Sequence, residues 1–311
     1  MGVKAFATSA AISTAIAADI TTLSSSVIAA TGRFVVAFSG GSLPSIVAKD
    51  LAKSGAVDWT KWHVFLADER CVPNTHKESN YALIKQELLS KVPIPASQIH
   101  PINDALLVSQ DGACSDQETA AIADDYKNQL VSLFGSEDKI VFDLVLLGMG
   151  PDGHTCSLFP KHHLLRVTST PIAYLTDSPK PPPARITLTY PVLNASQHVW
   201  FVSTGEGKAQ VLKEILVDGV EYPSGLGIRS IPTSLSQEAD TNDYDLLNFL
   251  LDQPPVPQPL PTSFIDEQLD SLFTSSLIQA VAPIDASILG PGSPYLHSPP
   301  RLPHYLLPLL P

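Results

Sequence analysis

His154 stands in the segment Gly148-Met149-Gly150-Pro151-Asp152-Gly153-His154-Thr155, directly after a continuous run of Val and Leu. Imidazole is the side chain best matched to proton transfer near neutral pH, and Asp152 lies close by. Glycines and a proline crowding a histidine point to chemistry; a histidine that only hydrogen-bonds its own loop together is the other reading. A second cluster, Ala67-Asp68-Glu69-Arg70, follows another apolar run. There Arg70 offers a planar fork to a phosphate or carboxylate, with Asp68 orienting Arg70 or the substrate. The bland alternative is a solvated salt-bridge cluster. A third segment, Ser39-Gly40-Gly41-Ser42, leads from an apolar run into Leu43-Pro44. Backbone N–H groups at such a turn can point at an anion while the following helix adds favourable potential. Gly205-Glu206-Gly207-Lys208 repeats that geometry. Because helix dipoles favour lysine at C-termini, Lys208 at an N-terminus implies a task beyond helix stability. Arg185, after the stiff Ser178-Pro179-Lys180-Pro181-Pro182-Pro183 segment, is either a surface charge or a residue whose approach to a cleft the prolines pre-set.

Other chemistries find no support. His154, His162 and His163 lack the spacing of a closed metal site, Cys156 is too isolated to add a ligand, and no metal is expected. Neither a GxSxG nucleophile elbow nor a P-loop lysine is present, which disfavours covalent catalysis by serine or cysteine.

These residues need a scaffold that delivers loops to one edge. The pattern predicts a first helix over 7–30 ending near Gly32, a strand over 33–38, a helix from Leu43-Pro44 and a strand over 62–67. Ser79 is placed to cap a helix carrying Tyr81, Ile84, Leu88 and Leu89, and another helix spans 117–134 with Gly135 as its stop. Residues 141–147 read as a strand covered on both faces, with further strands near 172–175, 185–189 and 198–203 and a helix over 207–217. Alternating strands and helices predict an α/β fold with a largely parallel sheet flanked by helices, whose ligands sit beyond the carboxyl ends of the strands.

Composition narrows the partners. With 19 Lys+Arg against 31 Asp+Glu and a net charge of -12, the chain offers no broad surface for nucleic acid or anionic membrane, so an anionic ligand must be held by a few local cations. No apolar run is expected to span a membrane, and 1–18 lacks the greasy centre and positive start of a secretory signal. Cys71, Cys114 and Cys156 are an odd set at wide spacing, read as free thiols in a reducing, cytoplasmic compartment.

Taken in order, SGGSLP (39–44), LADERCVPNTHKESNY (66–81), LLGMGPDGHTCSLFP (146–160), SPKPPPARITLT (178–189) and GEGKA (205–209) resemble the motif set of eukaryotic 6-phosphogluconolactonases. The match runs from about residue 5 to residue 222. The resemblance implies an α/β domain related to the glucosamine-6-phosphate deaminase fold. It further implies hydrolysis of 6-phospho-D-glucono-1,5-lactone in the oxidative pentose phosphate pathway, with no cofactor. Carried onto this chain, His154 is the expected general base or acid, with Asp152, Arg70 and Asp68 beside it. Gly40, Gly41, Ser42, Arg185 and Lys208 are the expected substrate or phosphate contacts. His76 lies in a family motif without an assignable step. The only partner expected is the small sugar-phosphate lactone, and a monomer is favoured.

Two alternatives stay open. Glucosamine-6-phosphate deaminases resemble the chain through Asp152 and His154, but carry a glutamate five residues after the histidine, where this chain has Phe159. A catalytically impaired sugar-phosphate-binding protein is the other, because the family's usual return after the GEGKA helix is not recognisable past residue 226. The expected organisation is a catalytic domain over 1–226 and a divergent, poorly ordered Pro/Ser/Leu-rich tail over 227–311, with short amphipathic pieces at 244–251 and 265–272.

Overall fold

The computed structural model describes residues 3–216 and 218–226. The expectations for the tail, including its two amphipathic pieces, fall outside these residues.

Helix α1 (Ser9–Thr31) begins where the Thr8 hydroxyl accepts from the Ala11 amide, and it ends at Gly32, whose φ of 81° suits only a residue without Cβ. Ile12, Ile16, Ile20 and Leu23 fall on one face and are buried. By length and composition α1 is long and apolar enough to cross a membrane, which corrects the expectation that no run reaches that length. Its interspersed Ala, Ser and Thr carry little polarity, so the helix is apolar on average even though one stripe alone faces the core.

Strand β1 (Phe34–Phe38) then runs fully buried into the first glycine turn and α2 (Leu43–Leu51), which packs on α1. Strand β2 (Trp62–Leu66) returns parallel to β1, pairing Phe34 with Trp62 and Phe38 with Leu66. Ala67 is a junction: its amide donates to Phe38 O (2.8 Å) while its carbonyl accepts from Leu188 (2.8 Å). The chain passes there from the parallel sheet into a second, antiparallel one through β3 (Asp68–Arg70).

Ser79 caps α3 (Asn80–Ile84) as expected, and the helix continues through a wider turn to Leu89. Helix α4 (Asp116–Phe134) opens with a capping box between Ser115 and Glu118 and closes at Gly135, φ 94°. Strand β4 (Leu144–Leu147) is shorter than the predicted 141–147. Asp143 ends the ladder by accepting from the Val35 amide through its carboxylate (2.7 Å) and donating its own amide to Val35 O (3.0 Å).

Strands β5 (Ile172–Leu175) and β6 (Arg185–Leu188) occur where expected but lie outside the parallel sheet. They form the order β3-β6-β5 with antiparallel pairing, placing Arg70 opposite Arg185 and Asp68 opposite Thr187. Short helix α5 (Tyr190–Ala195), unread in the sequence, leads to β7 (Val199–Phe201). Among the described residues the parallel sheet has the order β2-β1-β4-β7. A single turn at Glu206–Lys208 precedes α6 (Ala209–Leu216), and α7 (Pro223–Leu226) follows.

At the N-terminal end of β2, away from the glycine turns, His63 Nδ1 lies 3.4 Å from His100 Nε2, and the His100 ring stacks on Phe65 at 4.0 Å and 4°. Burial, helped by His63, pushes His100 down to about 4; burial and then Arg33 lower His63. The unfolded chain therefore takes up these protons first as pH falls. The stability contributed by the neutral imidazoles is complete above pH ~6.5 and is lost as pH falls towards 4. The thermal midpoint of the intact chain is expected to drop between pH 7 and pH 5, and His100→Phe to flatten that slope. Equal slopes in the two proteins would show that the pair does not govern acid stability.

Candidate active site

The glycine turn between β1 and α2 is shaped by contact as well as by dihedral angle. A Cβ on Gly40 would lie 1.9 Å from the side-chain oxygen of Asn80, so the approach of Asn80 requires glycine; Gly41 has φ 72°. Ser42 takes the N-cap position of α2 without a capping side-chain hydrogen bond. Gly148, at the end of β4, comes within 4.0 Å of Gly40 O when given a Cβ, so the two glycine segments adjoin across the cleft.

The segment carrying His154 is closed by its own backbone. Gly150 N donates to His154 O (2.9 Å), Gly153 N donates to Gly150 O (2.9 Å), and the Thr155 hydroxyl donates to Gly148 O (2.9 Å). Those bonds commit the Gly150 and Gly153 amides, which removes them as oxyanion donors. From behind, the Tyr222 ring fills the space a Gly153 side chain would need, and Ser224 N donates to Gly153 O (3.0 Å). The stretch just before residue 227 thus braces the histidine loop.

His154 Nδ1 makes a short hydrogen bond to Asp152 Oδ1, and its ring stacks on Phe159 with centroids 4.8 Å apart. Lys180 Nζ donates to the same Asp152 oxygen (2.9 Å) and stands 3.1 Å from His154 Nδ1. Burial pushes Asp152 up, but the hydrogen bonds from His154 and Lys180 outweigh it and hold the carboxyl at about 2. For His154, burial pushes the imidazole down and outweighs the upward pull of Asp152, while Lys180 adds to the downward push. The expected state at neutral pH is a neutral imidazole donating Nδ1–H to a carboxylate, with Nε2 available as a base.

Across the cleft, the β3–β6 pairing sets two guanidinium groups side by side, an unfavourable arrangement unless an anion joins them. Arg70 Nη1 donates to Glu78 O (2.6 Å) and approaches the Glu78 carboxylate at 3.6 Å, while its buried Nε has no partner among the described residues. Glu78, and not Asp68, therefore orients Arg70. Asp68 instead accepts from the Ser157 hydroxyl (2.9 Å) and, more distantly, from Asn80 (3.4 Å). Glu69 turns away from the cleft to accept from the Arg70, Asn80 and Tyr81 amides and the Ser79 hydroxyl.

Arg185 is buried, so the surface-charge reading is excluded. Its Nε and Nη2 donate to the carbonyls of Pro182, Lys180 and Pro181, so the arginine and the proline segment hold each other in place. Burial, then Arg70, lowers Arg185 to about 10; burial, then Lys180, lowers Lys208.

One cavity of about 220 Å³ brings these groups together, lined by both glycine segments with Asp68, Arg70, His154, Arg185 and Lys208. Every expected site residue lines it except Asp152, which sits behind His154. His76 does not line it. Its Nδ1 accepts from Glu78 N (3.1 Å) and steadies the turn that carries the Arg70 partner. Asn80 and Lys180 were not among the expected site residues. Asn80 follows the capping Ser79 and read as a helix start; Lys180 read as part of a stiff spacer.

A wound α/β sheet whose loops gather a histidine, a carboxylate and three cations is suited to acid–base chemistry on an anionic ligand, and comparison gives the family. Residues 7–233 match the family described as glucosamine-6-phosphate isomerases/6-phosphogluconolactonase, and the chain belongs to that family. The 6-phosphogluconolactonase of Rattus norvegicus is 50% identical over 191 residues, covering 60% of this chain and 70% of that one. A probable 6-phosphogluconolactonase of Schizosaccharomyces pombe is 41% identical over 245 residues, 77% and 93% of the two chains. The solved 6-phosphogluconolactonase from Trypanosoma cruzi superposes with a TM-score of 0.63 at 27% identity, covering 72% of this chain and 89% of that one.

Proposed function

We propose that the chain hydrolyses 6-phospho-D-glucono-1,5-lactone to 6-phosphogluconate, the lactonase step of the oxidative pentose phosphate pathway. The observation that carries this reading is the single cavity joining His154 to Arg70, Arg185, Lys208 and the Gly40–Gly41 turn. Neutral His154, held by Asp152, takes a proton from water as the water oxygen attacks the lactone carbon. The Arg70 guanidinium, which lines the cavity, and the uncommitted amides of the glycine segments stabilise the developing oxyanion. Collapse breaks the bond to the ring oxygen, which receives the proton back from His154. Lys208 and the first glycine turn hold the phosphate far from the reacting carbon, so its binding energy orients the ring, while Arg185 stands beside Arg70 as a second cation on the substrate.

Neither alternative is favoured. Phe159 places an aromatic face, not a carboxylate, against His154, where deaminase chemistry would need an acid to tune the imidazole. Against the binding-protein reading, among the described residues His154, Arg70, Arg185 and Lys208 are gathered at one cavity. The proposal includes a cytoplasmic monomer without nucleic-acid or membrane partners. In support are the three buried free thiols, the negative net charge and a cavity lined by residues of one chain.

Lys208→Met tests the phosphate assignment. Loss of one charged hydrogen bond, about 1.5–3 kcal/mol, is expected to raise KM for the phosphorylated lactone roughly 10–100-fold. Hydrolysis of unphosphorylated gluconolactone should change little. An equal loss on both substrates would place Lys208 elsewhere in the mechanism.

A further inference from the structure

Lys180 does not line the cavity, yet its ammonium reaches both members of the proton-transfer pair: 2.9 Å to Asp152 Oδ1 and 3.1 Å to His154 Nδ1. Its position is built. Arg185 takes the Lys180, Pro181 and Pro182 carbonyls, and the Ser178 hydroxyl donates to Lys180 O (2.8 Å), so the backbone on either side of the lysine is anchored. The ammonium also lies 6.0 Å from the centroid of the Phe159 ring on which His154 stacks. A surface lysine has no need of such anchoring, and its side chain is only 38% exposed.

We propose that Lys180 is a positioning residue of the lactonase site, fixing the Asp152 carboxylate and setting the electrostatics of His154 without touching substrate. The inference rests on the lactonase reading. Asp152 Oδ1 accepts from both partners, so the ammonium locks the carboxylate at the angle that meets Nδ1 and draws off part of its negative charge. An undiluted carboxylate would favour imidazolium; the nearby cation opposes it. The imidazole thereby stays neutral and basic at Nε2 at a pH where a simple Asp–His pair would begin to hold a proton. The other groups around His154 do not replace this effect. Asp68, from β3, pulls towards the protonated form, as Asp152 does. Arg185 lies across the Phe159 ring, 5.7 Å from its centroid. Lys180 also lowers Lys208, which lines the cavity.

The test compares wild type with Lys180→Gln and Lys180→Arg. One readout is kcat/KM for the phosphorylated lactone from below the acid limb up to pH 7.5, corrected for spontaneous opening. The other is the NMR titration of the His154 ring proton in the absence of substrate. In Lys180→Gln the acid limb and the NMR midpoint should both move up by about one pH unit. Activity well below the wild-type acid limb should then fall about tenfold more than activity at the alkaline end, with KM within about twofold of wild type. Lys180→Arg should restore the wild-type profile. A raised KM with an unmoved limb would make Lys180 a substrate contact and overturn the proposal, as would an NMR midpoint unchanged by Lys180→Gln. A wild-type chain inactive on the lactone would sink the lactonase reading alone, because the titration of His154 is read without turnover.

Discussion

Replacing His154 by alanine is expected to lower kcat for lactone hydrolysis by roughly 10²–10⁴-fold, with KM changed far less. On the proposed mechanism the imidazole removes a proton from water and returns it to the ring oxygen. The proposed phosphate contacts lie on other elements, so binding is expected to survive its loss. Asp152 retains Lys180 as a partner at 2.9 Å, and truncation therefore leaves no orphaned carboxylate. The thermal midpoint should consequently stay within a few degrees of wild type, which separates lost chemistry from lost fold. A variant retaining a tenth or more of the wild-type kcat would show that His154 is not the proton-transfer group.

Gly150→Ala is expected to be nearly as damaging, although alanine brings no chemistry of its own. The added Cβ would lie 2.1 Å from both Cε1 and Nδ1 of His154 and 2.6 Å from Asp152 Oδ1, well inside contact distance. The backbone cannot retreat easily, since Gly150 N is bonded to His154 O and Gly150 O to Gly153 N. The imidazole must therefore swing away, and a displacement of about 1 Å at a reacting group costs on the order of 10²-fold in rate. Steady-state kinetics should show the loss in kcat. Gly207→Ala, where nothing lies within 4 Å of the new atom, should remain close to wild type. If Gly150→Ala kept wild-type kcat, the loop would be looser than its hydrogen bonds imply.

Much of this architecture was legible because local signals agreed with the global fold. The runs that became β1, β2 and β5 lie between breakers, and Ser79, Gly32 and Gly135 mark helix ends by well-understood capping chemistry. The motifs led to the cavity because glycine turns at strand ends have few purely structural uses. What escaped notice depends on tertiary pairing. Asp68-Glu69-Arg70 has no strand propensity and is extended because β6 pairs with it, so the second sheet was invisible locally. That sheet also explains why β5 and β6 were assigned to the parallel layer: their composition carries no record of direction. Lys180 and Asn80 act through contacts with residues 26 to 28 and 12 positions away. No periodicity reports such contacts. Arg185 was recognised as important, but its hold on the proline carbonyls is a matter of three-dimensional direction.

The most direct test of the central claim is hydrolysis of freshly generated 6-phosphogluconolactone by the full-length chain, followed as NADPH formed when 6-phosphogluconate is oxidised by a coupling dehydrogenase, with spontaneous opening subtracted. The structure predicts a rate proportional to enzyme concentration and well above background, lowered roughly 10²-fold or more by His154→Ala. A soluble, folded chain that leaves the spontaneous rate unchanged would contradict the lactonase account and leave only binding as the role of this cavity.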